Sequence, residues 1–307
     1  TWRAWASEPR YARAGLQGRG TGMKGWGIVI AAMLAASPAA NARDQRGLIE
    51  KAEMSMLVKG GIDMRPDGSV ERYSIDHSEK LSPAVTQMIG AQVSQWRFEP
   101  VLVDGKPVNA HTNMSLRIVA KPVDEQNFNV RIQSASFSGG SDAKDDRISV
   151  LKRTSLKPMV QALWSTSLDG PVDLYLALKI GTDGKVLDAI VQQVNLPSSD
   201  TEREMAKQRK VLAEAALEVV RQWTFQVPGR EPEGEPYWSG ILPMDFQKGT
   251  VPSESGYGEW RAYIPGPCTP VPWDTHGEDR CGIDAAPEGV LTLDSSGPKL
   301  LTPLMQG

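Results

Sequence analysis

One pattern occurs twice in this chain, and that repeat limits what the chain can fold into more than any other feature. Residues 60–75 read GGIDMRPDGSVERYSI and residues 171–191 read PVDLYLALKIGTDGKVLDAIV. Each run alternates, reaches an Asp-Gly pair (Asp67-Gly68, Asp183-Gly184) and leaves through a valine (Val70, Val186). Asp-Gly between alternating runs signals a hairpin, because glycine accepts the positive φ such turns require. A helix pattern follows each hairpin. In the first copy Ser82 is the candidate N-cap and Pro83 suits the first helical position. Val85, Met88, Ile89, Val93 and Trp96 then fall on one stripe. In the second copy Ser199 and Glu202 have capping-box spacing, and Leu212, Ala216, Val219 and Trp223 follow at helical spacing. Both helices end on almost the same words, Gln95-Trp96-Arg97-Phe98 and Gln222-Trp223-Thr224-Phe225. Trp96, Phe98, Trp223 and Phe225 are therefore expected as core anchors rather than ligand-stacking residues.

Each copy then has a proline (Pro100, Pro228), a Gly-x-Pro turn (Gly105-Lys106-Pro107, Gly234-Glu235-Pro236) and a last strand. In the first copy Met114, Leu116, Ile118 and Ala120 alternate with mostly polar neighbours, as in a strand with one buried face. In the second, Leu242, Met244 and Phe246 alternate, and Pro243 predicts an edge strand because proline gives no donor to a ladder. Gln126 to Phe137 alternates as a further strand would. The expected fold class is α+β: two small modules, each a three-stranded antiparallel sheet with a packed helix, in the order strand, strand, helix, strand. The boundaries are 43–137 and 151–247, joined by a glycine-bearing polar linker over 138–150. Residues 248–307 are expected to be a loop-dominated, Pro/Gly-rich tail.

Residues 1–42 are set apart from the fold. Met23-Lys24 is followed by an apolar stretch from Trp26 to Ala36 and then Ala40-Asn41-Ala42, an A-x-A signature. The pattern predicts a secretory signal peptide cut after Ala42, because the apolar run is well short of the roughly 20 residues that span a bilayer. Removing that segment, with its five Lys/Arg and one Glu, takes the net charge from −3 to −7. An acidic chain without a block of like charge argues against nucleic acid or an anionic membrane surface as partner.

Two cysteines, Cys268 and Cys281, both lie in the tail. Behind an export signal they predict a disulfide, and the 14-residue loop it closes corresponds to about 3 kcal/mol in the chain-entropy model. The spacing lacks the short pairs of structural zinc sites. Among the histidines, His77 is expected in a solvated loop. His111 is expected on the solvent face of a strand, opposite a cross-strand partner. His276 sits in the acidic run Asp274–Asp279, which reads as a solvated loop. No G-x-S-x-G, H-E-x-x-H, P-loop or dinucleotide fingerprint occurs, so no enzyme, cofactor or metal is expected.

The ordered set Gly61-Ile62-Asp63, Asp67-Gly68, Trp96-Arg97-Phe98-Glu99-Pro100, Asp104-Gly105-Lys106-Pro107-Val108 and Leu116-Arg117-Ile118 resembles the TonB C-terminal domain of bacterial energy transducers. The likeness covers residues 50–120 and, with QWTFQVP in place of WRFEP, residues 158–247. It implies a sheet whose last strand offers an open edge to an extended peptide from an outer-membrane receptor, in the periplasm. An unpaired edge presents main-chain donors and acceptors that a visiting strand satisfies. The positions implied are Ala110, Thr112, Asn113, Met114, Ser115, Leu116, Arg117 and Ile118 in the first copy. In the second they are Trp238, Leu242, Met244 and Phe246. No proline-rich spacer lies between Arg43 and Lys59, and the leader reads as cleaved, so the resemblance implies the binding module without the membrane engine. The competing expectation is a structural protein whose sheet edges pair with each other or with a second copy, giving a homodimer.

Overall fold

The computed structural model describes residues 51–124, 127–138, 148–197, 200–229, 232, 235–248, 257–273, 290–292 and 298–304. The expected leader, most of the linker, Ser199 and Cys281 lie outside these. The protein is α+β, with antiparallel sheets and three α-helices among the described residues.

The first sheet starts with β1 (Glu53–Met64), which turns at Asp67-Gly68 into β2 (Val70–Ile75). Asp67 Oδ1 accepts from the Ser69 N–H at 2.9 Å and the Ser69 hydroxyl at 2.6 Å, and Gly68 takes φ 78°. Helix α1 (Pro83–Val93) begins where proline at its first position predicted, and the Ser82 hydroxyl accepts from the Val85 N–H. Its stripe Val85, Ile89 and Val93 is buried, together with Trp96 just beyond its end. A two-residue hairpin, β3 (Leu102–Val103) and β4 (Lys106–Pro107), turns at Asp104 and Gly105, both at positive φ. The chain continues through β5 (Ala110–Pro122) and β6 (Phe128–Ser138). Met56, Val58, Ile62, Met114, Leu116, Ile118 and Ile132 turn one face of the sheet onto α1, with Trp96 and Phe98 at the centre.

Two elements then appear that the sequence did not announce, β7 (Ser149–Lys152) and helix α2 (Lys157–Trp164). The helix is eight residues long, too short for a periodic stripe to stand out. It buries Met159 and Leu163 against the second apolar cluster. β8 (Val172–Gly181) and β9 (Val186–Asn195) form the second hairpin, followed by helix α3 (Glu202–Val220). The cap of α3 lies two residues beyond the Ser199/Glu202 pair: the Thr201 side chain accepts from the Glu204 N–H at 3.3 Å. Thr201 and Glu204 keep the same capping-box spacing. β10 (Thr224–Gln226) pairs with β7, and β11 (Tyr237–Phe246) pairs with β8 over its whole length.

The geometry of the first hairpin returns in the second. Asp183 Oδ1 accepts from the Lys185 N–H at 3.0 Å, and Gly184 takes φ 76°. The Phe98 N–H donates to Gly68 O at 2.8 Å, and the Phe225 N–H donates to Gly184 O at the same distance. In both copies the segment after the helix-ending tryptophan is thus sewn to the hairpin turn by main-chain bonds.

The described residues of the tail include two short strands. β12 (Arg261–Tyr263) pairs with the start of β1, and β13 (Leu291–Thr292) pairs with Gly240 and Ile241 of β11. The two larger sheets therefore run β12-β1-β5-β6, with β2 also on β1, and β13-β11-β8-β9.

Candidate functional site

The first expected binding edge, Ala110–Ala120, is an interior strand. β5 is paired with β1 from Ala110 to Ala120, and on its other side with β6 from Asn113 to Pro122. The turn between them is fixed by the Val123 N–H donating to Asn127 O at 2.9 Å. Consecutive strands joined by a short connection pair with each other first, so the alternating run after β5 closed the edge that the resemblance left open. The side chains agree. Met114, Leu116 and Ile118 are core, Thr112 and Ser115 are buried, and Arg117 is half-buried beside the Ser55 hydroxyl. Ala110 is half-buried and Asn113 exposed.

The second expected edge is largely open among the described residues. On one side β11 pairs with β8 from Tyr237 to Phe246 without a register shift; on the other it meets the two residues of β13. Pro243 lies inside that unbroken ladder. Having no N–H, it must turn its nitrogen away from β8, and alternation carries the main-chain groups of Ser239, Ile241 and Asp245 to the same outer side. The Tyr237 N–H, two residues before Ser239, likewise goes to Glu235 O at 2.8 Å rather than to β8. Trp238, Leu242 and Met244 point into the second cluster, and Phe246 packs against it. Trp238, Leu242 and Met244 are core and Phe246 is half-buried against it, so the edge offers main-chain groups rather than those side chains.

Tail residues lie across the outer face of the second sheet. Val271 and Trp273 pack on Tyr175, Ala177 and Ile241, and Trp273 Nε1 donates to the Ser239 hydroxyl at 2.9 Å. Trp260 packs against the first cluster instead. Arg261 on β12 reaches Asp245 at 2.8 Å and Asp173 at 3.5 Å, which are register partners in β11 and β8. Burial works against its charge, and the two carboxylates outweigh that and hold the guanidinium protonated more firmly than usual.

His111 has the cross-strand partner expected of it. Its Nδ1 lies 2.6 Å from Asp63 Oδ1, and Arg72 Nε donates to Asp63 Oδ2 at 2.9 Å, so one row of side chains clasps β5, β1 and β2. The His111 bond, then Arg72, holds the Asp63 carboxyl below its usual range. His77 is exposed, takes φ 47° and meets the Tyr257 ring edge-on at 5.6 Å. No group of three potential metal ligands occurs among the described residues. The run Asp274–Asp279 with His276 lies outside them, as does Cys281; no free cysteine is found among the described residues.

The turn carboxylates predict a contribution to the acid dependence of stability. Asp67 is held low by the Ser69 hydroxyl and N–H, and Asp183 by the Lys185 ammonium and N–H. A carboxyl with a lowered folded pKa takes up its proton first in the unfolded chain. Its contribution is full above the ordinary value of about 4 and is lost as the pH falls through the folded value. Asp67→Asn with Asp183→Asn keeps an acceptor for each turn but removes the titration. The fall in Tm from about pH 6 to about pH 3 should be smaller in the double variant than in the parent. An equal fall would place the acid sensitivity elsewhere.

No protein-family model, no curated protein and no solved structure matches this chain.

Proposed function

We propose that this is an exported, non-enzymatic binding or adaptor protein, built from two divergent copies of a TonB C-terminal-like unit over 43–137 and 151–247. It captures an extended segment of another protein by strand addition on the outer side of β11. The partner class is a periplasmic segment of a TonB-dependent outer-membrane receptor. The observation that carries the reading is the imbalance across β11: a ten-residue ladder with β8 on one side, two residues of β13 on the other. An edge of that length can accept several main-chain bonds from a visitor. The matched turns, the matched Phe98 and Phe225 bonds and the two helix-ending tryptophans support common descent of the two units.

Among the described residues, no helix is long and apolar enough to cross a membrane. Export and the disulfide have one test. Mass analysis of protein recovered from the periplasm, digested without reductant, should find a chain starting at Arg43 with Cys268 linked to Cys281. A chain retaining residues 23–42, or two thiols that label freely, would refute the respective claim. For binding, calorimetry with an extended peptide from such a receptor should show saturable one-to-one uptake.

A second reading rests on β6, whose outer side has no strand partner among the described residues. If two copies pair there, sedimentation finds a dimer and calorimetry finds no peptide uptake.

A further inference from the structure

The backbone just after each helix-ending tryptophan is paired with a strand from elsewhere in the chain, and the two visiting strands are alike. After Trp223, Phe225 faces Val150 of β7 in antiparallel register. After Trp96, Phe98 faces Leu300 in an antiparallel bridge. The Glu99 N–H donates to Lys299 O at 2.9 Å and the Leu301 N–H to Arg97 O at 2.7 Å. The Arg97 N–H goes to the Thr302 hydroxyl at 2.8 Å.

The visitors are Ser149-Val150-Leu151-Lys152 and Lys299-Leu300-Leu301-Thr302. In each, the aliphatic residue opposite the phenylalanine packs against the local core, and the leucine after it is turned outward. Leu151 is 66% exposed and Leu301 56%. One visitor comes from just before its own sheet and the other from about 200 residues further along the chain. Two unrelated stretches of chain therefore satisfy one requirement: a short antiparallel strand reading polar, aliphatic, leucine, polar.

We infer that the run Arg97–Glu99 is a second strand-binding slot, recognising an extended segment of that pattern in a partner protein, with the chain's own Lys299–Thr302 as its resident occupant. The slot offers three main-chain groups, namely the N–H groups of Arg97 and Glu99 and the Arg97 carbonyl, together with an apolar seat beside Phe98. The occupant belongs to the same chain, and it holds on through Leu300 and Leu304. A partner strand therefore competes with a segment present at high effective concentration, and binding is weak until that segment is out of the way. The slot lies on the first sheet's helix-end segment, so it does not depend on strand addition at β11.

The test uses the full chain and a labelled heptapeptide with the sequence of residues 298–304, Pro-Lys-Leu-Leu-Thr-Pro-Leu. Leu300→Asp with Leu304→Asp empties the slot in the protein. The peptide should bind this variant at least about tenfold more tightly than the parent, because only a freed slot is competent. A peptide carrying aspartate at the position of Leu300 should not bind. Should the double variant lose the near-ultraviolet circular dichroism of the parent, Leu301→Pro replaces it. That change removes one donor and touches an outward-facing side chain. Equal affinity for parent and folded variant, or no binding to either, overturns the inference. So does a concentration-dependent dimer in the parent that disappears in the variant, since the slot's partner would then be the tail of a second copy. Loss of receptor-peptide binding at β11 with the heptapeptide result intact would sink the functional reading alone.

Discussion

Replacing Trp96 or Trp223 by alanine should each cost about 3–5 kcal/mol, as truncation of a buried aromatic leaves a cavity its neighbours cannot fill. Trp96 is 2% exposed and meets Phe98 and Phe137 edge-on, at 6.4 and 5.6 Å between ring centres. Trp223 is 4% exposed, with the Arg153 guanidinium 5.4 Å from its ring. The two belong to separate apolar clusters, one built on α1 and the other on α3. Each substitution should therefore lower one unfolding transition in calorimetry and leave the other nearly in place. A single transition lowered equally by both changes would mean the clusters unfold as one unit.

Gly68→Ala and Gly184→Ala should be almost as damaging. A Cβ on Gly68 would stand 2.0 Å from the Phe98 carbonyl oxygen, and one on Gly184 2.1 Å from that of Phe225. Both glycines also sit at positive φ, where an L residue costs about 1–2 kcal/mol before any clash. The obstructing atom is backbone, part of the segment that ties each turn to its sheet, and it cannot swing aside. Gly105 supplies the control: it too has positive φ, at 75°, but nothing lies within 4 Å of its would-be Cβ. Denaturant melts should give a loss of at least about 2 kcal/mol at Gly68 and Gly184, clearly larger than at Gly105. Equal losses at all three would mean that only the backbone angle matters.

The repeat was legible because its signals are local. Asp-Gly announces its turn chemically, Ser82-Pro83 announces a helix start, and the stripes ending at Trp96 and Trp223 announce one buried face. What the sequence hid was pairing at a distance. Arg261–Tyr263 has no alternation long enough to read, yet its register with Glu53–Ser55 places it on β1. Lys299–Thr302 looks like any proline-flanked tail; its partner lies about 200 residues away, and only the fold brings them together. The open edge at β5 failed for a different, local reason. The residues that resemble the TonB family end near Ala120, and the strand that closes the edge comes just after them. Pro243 restricts which way β11 can face, because a missing donor must lie away from β8, though on that outer side Gly240 and Ile241 meet β13.

The central claim is that β11 receives a visiting strand on its outer side, and amide hydrogen exchange tests it most directly. Exchange is followed residue by residue in the full chain, with and without the extended receptor peptide at saturation. The account predicts that the amides of Ser239 and Asp245, which face away from β8, slow markedly when peptide is added. Leu242 and Met244, whose N–H groups face β8, should stay as slow as before. Peptide uptake that leaves Ser239 and Asp245 exchanging at their original rates would contradict strand addition at β11.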